Sequence, residues 1–440
     1  MKDIINRAIL LLFCAVVFLL TGSSLAQQDR NDTDQPVQLR DKVESFLEEH
    51  SLELNGFWEA RTGYRVLNDR YEKDISVMET RLQLDISTYT DWAEFKFKGD
   101  TFGCLVTEGG HFDMREAYMS LTPLDFLDTK VGRQILTWGT GDLLFINDMF
   151  PKDWQSFFIG RDTEYLKAPS DAAKISLFGD WANLDLVYTP KFDHDRFISG
   201  RRLSFFNSTL NRLSGQDAII NTDKPNRWFR DDEISVRLYR NINNYELAFY
   251  GYHGFWKSPA GMNNRGEAIF PDLNVYGSSI RGSIGKGIGN MEFGYYQSAD
   301  NESGNDPMIN NSELRFLAGY SQEIAKEFTA GLQYYIERMM NYENYRDNLP
   351  TGFSARDINR HLITLRLTKL LLNQNLRCGL FTYFSPTDKD VYIRPNVLYK
   401  ISDNLMVEGG ANIFFGDYQH TFFGQFHRNS NIYTAIRYSF

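Results

Sequence analysis

Past its N-terminus the 440-residue chain contains no apolar run approaching the ~18–20 residues that a membrane-spanning helix needs. A polytopic helical membrane protein is thereby excluded. Cysteine is scarce, with Cys14 inside an N-terminal apolar stretch and only Cys104 and Cys378 beyond it. So sparse a set gives no disulfide framework, and the two read as unpaired thiols. Proline (12) is rare and glycine (33) ordinary, so the chain is neither collagen-like nor a linker. Positive charge is in deficit: 47 Lys and Arg stand against 57 Asp and Glu, a net charge of −10. A nucleic-acid partner would need a basic face, so none is expected. The seven histidines show no metal-ligand spacing, so no metal and no cofactor are expected. His427 and Ser430 are not selected as a catalytic pair by any neighbour, and the chain does not read as an enzyme. What the chain has in quantity is aromatic side chains, 15% of its residues, which argues against disorder.

The N-terminus reads as an address. Lys2 and Arg7 precede the apolar stretch Ala8 to Leu20, and Ser24-Leu25-Ala26 offers a small-x-small cleavage site. Residues 1–26 are therefore expected to be a signal peptide. Residues 27–50 are polar and acidic, with one short helical pattern at Val43-Glu44-Ser45-Phe46-Leu47, and read as a periplasmic lead-in.

From residue 51 the pattern changes to alternation with period two, the signature of strands. Leu54, Trp58, Ala60 and Tyr64 share one face while Glu53, Glu59 and Arg61 take the other. The spacing predicts strands near 52–64, 78–88, 92–98, 113–121, 128–137, 172–178, 181–189, 232–240 and 244–253. It predicts nine more near 274–284, 289–298, 312–321, 327–338, 360–368, 375–385, 390–400, 404–415 and 430–440. The connections alternate: long stretches at 65–74, 99–112, 138–171 and 190–231 are interleaved with tight turns such as Gly179-Asp180 and Ser402-Asp403-Asn404. Long loops at one end and short turns at the other fit a membrane barrel, whereas a soluble sandwich has no reason to sort them.

The predicted segments are also longer than ordinary strands of about 5–6 residues, and approach the about 9–11 that a tilted strand needs to cross a bilayer. Lipid cannot satisfy backbone groups, so such a sheet must close on itself. The expected fold is all-β: a closed antiparallel transmembrane barrel over 51–440, with eighteen strands, or sixteen as the alternative. Its apolar face meets lipid and its polar face lines water. Trp58, Tyr64, Tyr89, Trp92, Trp181, Tyr188, Tyr245, Tyr320 and Tyr399 fall near strand ends, as interface girdles would.

The chain ends in Arg437-Tyr438-Ser439-Phe440. A terminal Phe after alternating apolar residues resembles the C-terminal signal of bacterial outer-membrane barrels. The resemblance implies that Tyr438 and Phe440 are read by the barrel assembly machinery. Val131-Gly132-Arg133-Gln134 followed by Trp138-Gly139 resembles the Gly-Arg-Gln…(Tyr/Trp)-Gly motif of alginate-export-type porins and related outer-membrane barrels. It implies an outer-membrane channel for a small-molecule solute, in contact with lipid and lipopolysaccharide, with a homo-oligomer among the options. Those exporters usually follow the aromatic-Gly pair with an acidic residue and an Arg. Here Thr140-Gly141-Asp142 follows, so alginate itself is not implied. Some barrels with this motif handle apolar compounds.

Alternation assigns a charged lumen. Arg61, Arg81, Arg315, Arg366, Arg377, Arg394 and Arg437 face inward with Glu79, Asp85, Glu292, Glu313, Glu337 and Glu408. Arg366, Arg377, Arg394 and Arg437, on the late strands, are expected to form a basic arc that attracts anions. A self-paired charge ladder without selectivity is the competing reading. Arg133 shares parity with Val131 and Ile135, which points it at lipid. A bulge or inward turn near Gly132 is therefore expected to bring it into the pore lining. The loop 138–171, with Asp142, Asp148, Asp153 and Arg161 among many aromatics, is expected to fold inward as a constriction; an external cap is the alternative. Arg201 and Arg202 in 190–231 are expected to meet lipopolysaccharide phosphates or to be solvated. The expected function is passive diffusion of small hydrophilic solutes, anions or saccharides among them. Passage of apolar compounds and a structural or adhesive barrel with a plugged lumen are the alternatives.

Overall fold

A computed structural model describes residues 51–353 and 355–440. The expected signal peptide (1–26) and lead-in (27–50) lie outside the described residues. Eighteen antiparallel strands form one sheet. They are β1 (Leu52–Arg65), β2 (Ile75–Tyr89), β3 (Glu94–Cys104), β4 (Gly109–Leu124), β5 (Leu127–Gln134) and β6 (Ser170–Leu177). Then come β7 (Asn183–Thr189), β8 (Glu233–Ile242), β9 (Tyr245–Phe255), β10 (Asp272–Ile284), β11 (Gly287–Ser298) and β12 (Glu313–Ala325). The last six are β13 (Phe328–Met339), β14 (Asn359–Leu371), β15 (Leu376–Ser385), β16 (Asp390–Lys400), β17 (Leu405–Gly416) and β18 (Asn431–Ser439). Each pairs with the next, and β18 returns to β1 with Tyr438 opposite Trp58, so the sheet is a closed barrel. Phe440 completes the seam: its N–H and C=O exchange 3.0 Å bonds with Gly56. A side chain at Gly56 would run into the Phe440 ring.

The alternation read from the sequence is the alternation of faces. Along β13, Leu332 (56% exposed) and Tyr334 (40%) look outward, while Gln333 (7%) and Tyr335 (5%) look inward. The same holds on β18, where Ile432 and Ile436 are exposed and Asn431, Tyr433 and Arg437 are buried. Tyr89, Trp92, Trp181, Tyr245, Tyr320 and Tyr399 are exposed at the short-turn end of the barrel, where amphipathic rings suit a membrane interface. No helix of the described residues is long and apolar enough to cross a membrane. The tight hairpins place Asn243 (φ 53°) and Gly285 (φ 60°) in the left-handed region that two-residue turns require.

One expected loop is shorter than its sequence reads. Strands β3 and β4 pair through Cys104 and Gly109, leaving only 105–108 where 99–112 was expected. Gly99, Gly103, Gly109 and Gly110 carry no side chain to mark a face, which hides the period there. The pair is also bulged: Lys98 faces Glu116 but Gly99 faces Met114, so Arg115 is the extra residue.

Candidate functional site

The lumen is filled from the long-loop end by two connections, 135–169 and 190–232. The first is bonded to inward side chains of nine strands around the ring. Near its start, Glu292 on β11 accepts the N–H of Thr140 and Gly141 (2.7 Å for Gly141) and the Asn147 amide (3.0 Å). Gln333 on β13 accepts the Asp142 N–H (2.7 Å) and donates back to its carbonyl (2.9 Å). Arg366 on β14 holds the Asp142 carboxylate with two bonds, one of 2.8 Å from Nη2. The Tyr383 hydroxyl on β15 donates to the Leu143 carbonyl (2.8 Å). Further on, Arg61 on β1 donates to Gly160 O (2.6 Å) and Arg394 on β16 to Arg161 O (2.8 Å). Arg115 on β4 donates to the carbonyls of Glu164 and Lys167. A stretch of chain with few internal backbone bonds is thus satisfied by the barrel wall, as buried backbone requires.

Two buried charge clusters fix the rest. Glu79 on β2 accepts from Arg161 of the first loop (2.6 Å), Arg202 of the second (3.0 Å) and Arg81 of its own strand (3.2 Å). Its side chain is 2% exposed. Arg81 also pairs with Asp100 (2.6 Å). At the seam, Glu59 binds Arg61 (2.9 Å) and Arg437 (2.7 Å); Arg61 reaches Glu408 (2.9 Å) and Arg437 reaches Asp162 (3.3 Å). Asp153 caps the short helix Trp154–Phe158 and also meets Arg196 (3.3 Å). Asp148 takes Lys152 (2.9 Å), Asp85 pairs with Lys96, and Glu313 pairs with Arg315 (2.6 Å). Glu337 accepts the Tyr335 hydroxyl (2.8 Å) and lies 3.9 Å from Arg360.

The expected basic arc is brought together in part. Arg366, Arg377 and Arg394 line one cavity of about 250 Å³ toward the short-turn end. Arg437 is drawn away to Glu59 and Asp162. Among the described residues, neither Arg377 nor Arg394 has a carboxylate within ion-pair distance. Toward the long-loop end lies a larger cavity of about 590 Å³. It is bounded by Phe145, Trp154, Trp256, Tyr335 and Phe422, with Arg315 stacked 3.8 Å over Tyr296. Leu143 borders both cavities.

The barrel superposes on known structures. The crystal structure of Acinetobacter baumannii OccAB3 matches with a TM-score of 0.55 at 10% identity, over 88% of this chain and 99% of that one. OmpF of Salmonella typhi, in complex with daunomycin, gives 0.44 at 9% identity (88% and 97%). A triple mutant of the Rhodopseudomonas blastica porin gives 0.39 at 11% (88% and 100%). This is the fold of an outer-membrane porin. No family model and no curated protein matches the chain.

Within this porin fold three expectations need correction. Arg133 does not join the lumen cluster. It keeps the parity of exposed Val131, pairs with Asp171 (2.9 Å) and donates to the Met114 carbonyl (2.7 Å). Gly132 does have an unusual backbone (φ 126°), but its pairing register runs on unbroken, and a Cβ there would strike the Ala117 carbonyl. The need for an inward turn disappears because Arg133 lies one residue from the strand's end, with a carboxylate beside it. Arg202 is not on the surface: it is buried against Glu79. The inward face is also not uniformly polar. Tyr383, Tyr392 and Phe414 face inward and pack with Phe157, Phe158, Phe423 and Phe426. The Tyr392 and Phe414 rings stack at 4.5 Å. Their parity was legible, but Phe157 and Phe158, which pack on them, come from hundreds of residues away in the sequence.

The remaining motif residues serve the loop's entry into the lumen. Gln134, fully buried, donates to the Ala172 carbonyl across the strand pair (2.9 Å). Trp138 packs edge-on against Phe150 (5.0 Å). Gly139 (φ 80°) lies where a side chain would meet the Glu292 carboxylate.

Proposed function

We propose that the protein is an outer-membrane diffusion channel for small hydrophilic solutes, with a preference for anions. The observation that carries this reading is the cavity walled by Arg366, Arg377 and Arg394 inside a closed barrel. Arg377 and Arg394 have no carboxylate within ion-pair distance among the described residues, and Asp162, which also lines the cavity, pairs with Arg437, so the lining carries an excess of positive charge although the whole chain is acidic. A passage of this kind needs binding strong enough to admit a solute and weak enough to release it. The 135–169 segment acts as the constriction, since eighteen strands alone would leave a wider opening. The apolar outer face suits lipid, and the Phe440 seam suits recognition by the barrel assembly machinery. Lipopolysaccharide contact and homo-oligomers belong to the same reading.

Reversal potentials of the purified barrel in planar bilayers under a salt gradient test it. Anion preference is expected, and cation preference overturns it. Deleting 141–168 is expected to raise conductance; an unchanged conductance removes the constriction role. The aromatic cavity favours a second reading, passage of compounds with apolar bodies. Liposome swelling with sugars and organic acids separates the two. The extent of loop filling favours a third, a plugged structural barrel, which an absence of conductance would support.

A further inference from the structure

Outside the aromatic cavity, toward the long-loop end, lies a second space of about 540 Å³, walled by residues of 205–221, 259–268, 307–310, 345–353 and by Arg356. Phe205, Ile220, Pro259, Ala260, Asn310 and Arg356 border both, so the two spaces adjoin. The chain is 24% charged, yet among the described residues Arg356 is the one charged side chain on this outer wall. It lies at the boundary, 5.6 Å from the Tyr345 ring. The rest of the wall is amide, hydroxyl, aromatic and aliphatic. The side-chain amides of Asn221, exposed, and Asn310, half-buried, have no hydrogen-bond partner among the described residues.

The aromatic cavity itself has its charges matched. Lys152 meets Asp148, Lys257 meets Glu233, Arg315 meets Glu313, and Arg360 meets Asp388. Asp195 accepts the Trp154 indole N–H (3.2 Å) and the Ser258 hydroxyl (2.6 Å). Its cations are thus neutralised, unlike Arg377 and Arg394 deeper in the barrel. One polar group is left over: the Trp256 indole N–H is buried without a partner, its ring 5.8 Å from that of Tyr296. A buried donor without an acceptor is costly, and an oxygen of a bound molecule relieves that cost.

We infer that the two adjoining spaces form one site for an uncharged saccharide of a few pyranose units. A pyranose presents C–H groups on its faces and hydroxyls at its rim. The C–H faces suit the rings of Trp154, Trp256 and Tyr296, whose faces carry partial negative charge. One hydroxyl oxygen accepts from the Trp256 N–H, and hydroxyls of the outer units bond Asn221 and Asn310. A purely apolar compound leaves these donors unpartnered, and an anion finds the cavity's guanidiniums already occupied. The inference rests on the channel reading for its purpose but not for its measurement.

The test titrates the purified full barrel, by calorimetry, with the neutral trisaccharides maltotriose, cellotriose and mannotriose, with trigalacturonate as their charged counterpart, and with 2-phenylethanol as an apolar alcohol. At least one neutral trisaccharide is expected to bind roughly tenfold tighter than trigalacturonate or 2-phenylethanol. Trp256→Phe keeps the ring but loses the N–H, and should weaken that binding several-fold. Asn310→Leu, at the half-buried junction of the two spaces, should weaken it with folding unchanged. No binding of any neutral trisaccharide, equal binding of the charged or the apolar probe, or either variant binding as wild type overturns the inference. A barrel that conducts ions while binding no trisaccharide sinks this site alone. A barrel that binds as expected but never conducts sinks the channel reading alone.

Discussion

Glu79 and Asp142 are each held by arginine where a loop meets the barrel wall, yet their surroundings give them opposite properties. Glu79 is buried under three guanidiniums, two of them from different long loops, and nothing in solvent competes for them. Asp142 faces one arginine across a wet surface. Buried charges that lose a partner are left uncompensated, whereas exposed pairs contribute little net stability. The first is thus an anchor and the second an exchangeable contact.

Glu79→Gln should have the largest effect, on the order of 3–5 kcal/mol in barrel stability. Both inward loops should become open to protease in the folded barrel, and conductance should rise. If limited proteolysis finds 135–169 and 190–232 as protected as in wild type, Glu79 is not their common anchor. Asp142→Asn should cost less than about 1 kcal/mol, while moving the reversal potential toward anions. A stability loss comparable to that of Glu79→Gln would erase the distinction drawn between the two carboxylates. Arg377→Gln, remote from both loops' anchors, should leave thermal unfolding unchanged and move the reversal potential slightly toward cations. No shift would mean that Arg377 is not on the solute path.

The smallest effect concerns pH. Glu72, in the loop 66–74 beside Gly215 of the second inward loop, has its carboxyl raised to about 7. Burial is the main cause; the Arg65 guanidinium opposes it, and the nearby Asp69 adds to the rise. A carboxyl raised in the folded state keeps its proton where the unfolded chain has lost it. Its contribution to stability therefore falls as pH rises between 4.5 and about 7. Contact between the two loops should loosen over that interval, seen as faster hydrogen exchange around 66–74. Glu72→Gln should flatten the dependence, and an unaltered profile in that variant would assign the effect elsewhere.

Much of the barrel was legible in the sequence. All eighteen expected strands are present, with edges shifted by a few residues, because lipid on one side and water or polar filling on the other leave a period of two. Where glycines interrupt that period, at 99–110, the facing ends of one strand pair were hidden. The inward charges followed from the same parity, but their partners did not. Arg202 and Glu79 are 123 positions apart, and Asp142 and Arg366 are 224 apart, with no local pattern joining them. The aromatic residues divide in the same way. Tyr89 and Trp181 carried a positional signal as interface residues, while Tyr392 and Phe414 became core only once 135–169 entered the barrel.

The sequence by itself determined the closed sheet, which residues face out, and where most of the long connections lie, since each follows from local alternation and turn chemistry. Only the tertiary structure decided that two of those connections turn inward and which charges they neutralise. That outcome depends on the ring being closed. Closure brings Glu79, Glu292, Arg366 and Arg394 to one interior, where a loop can satisfy them and be satisfied in return.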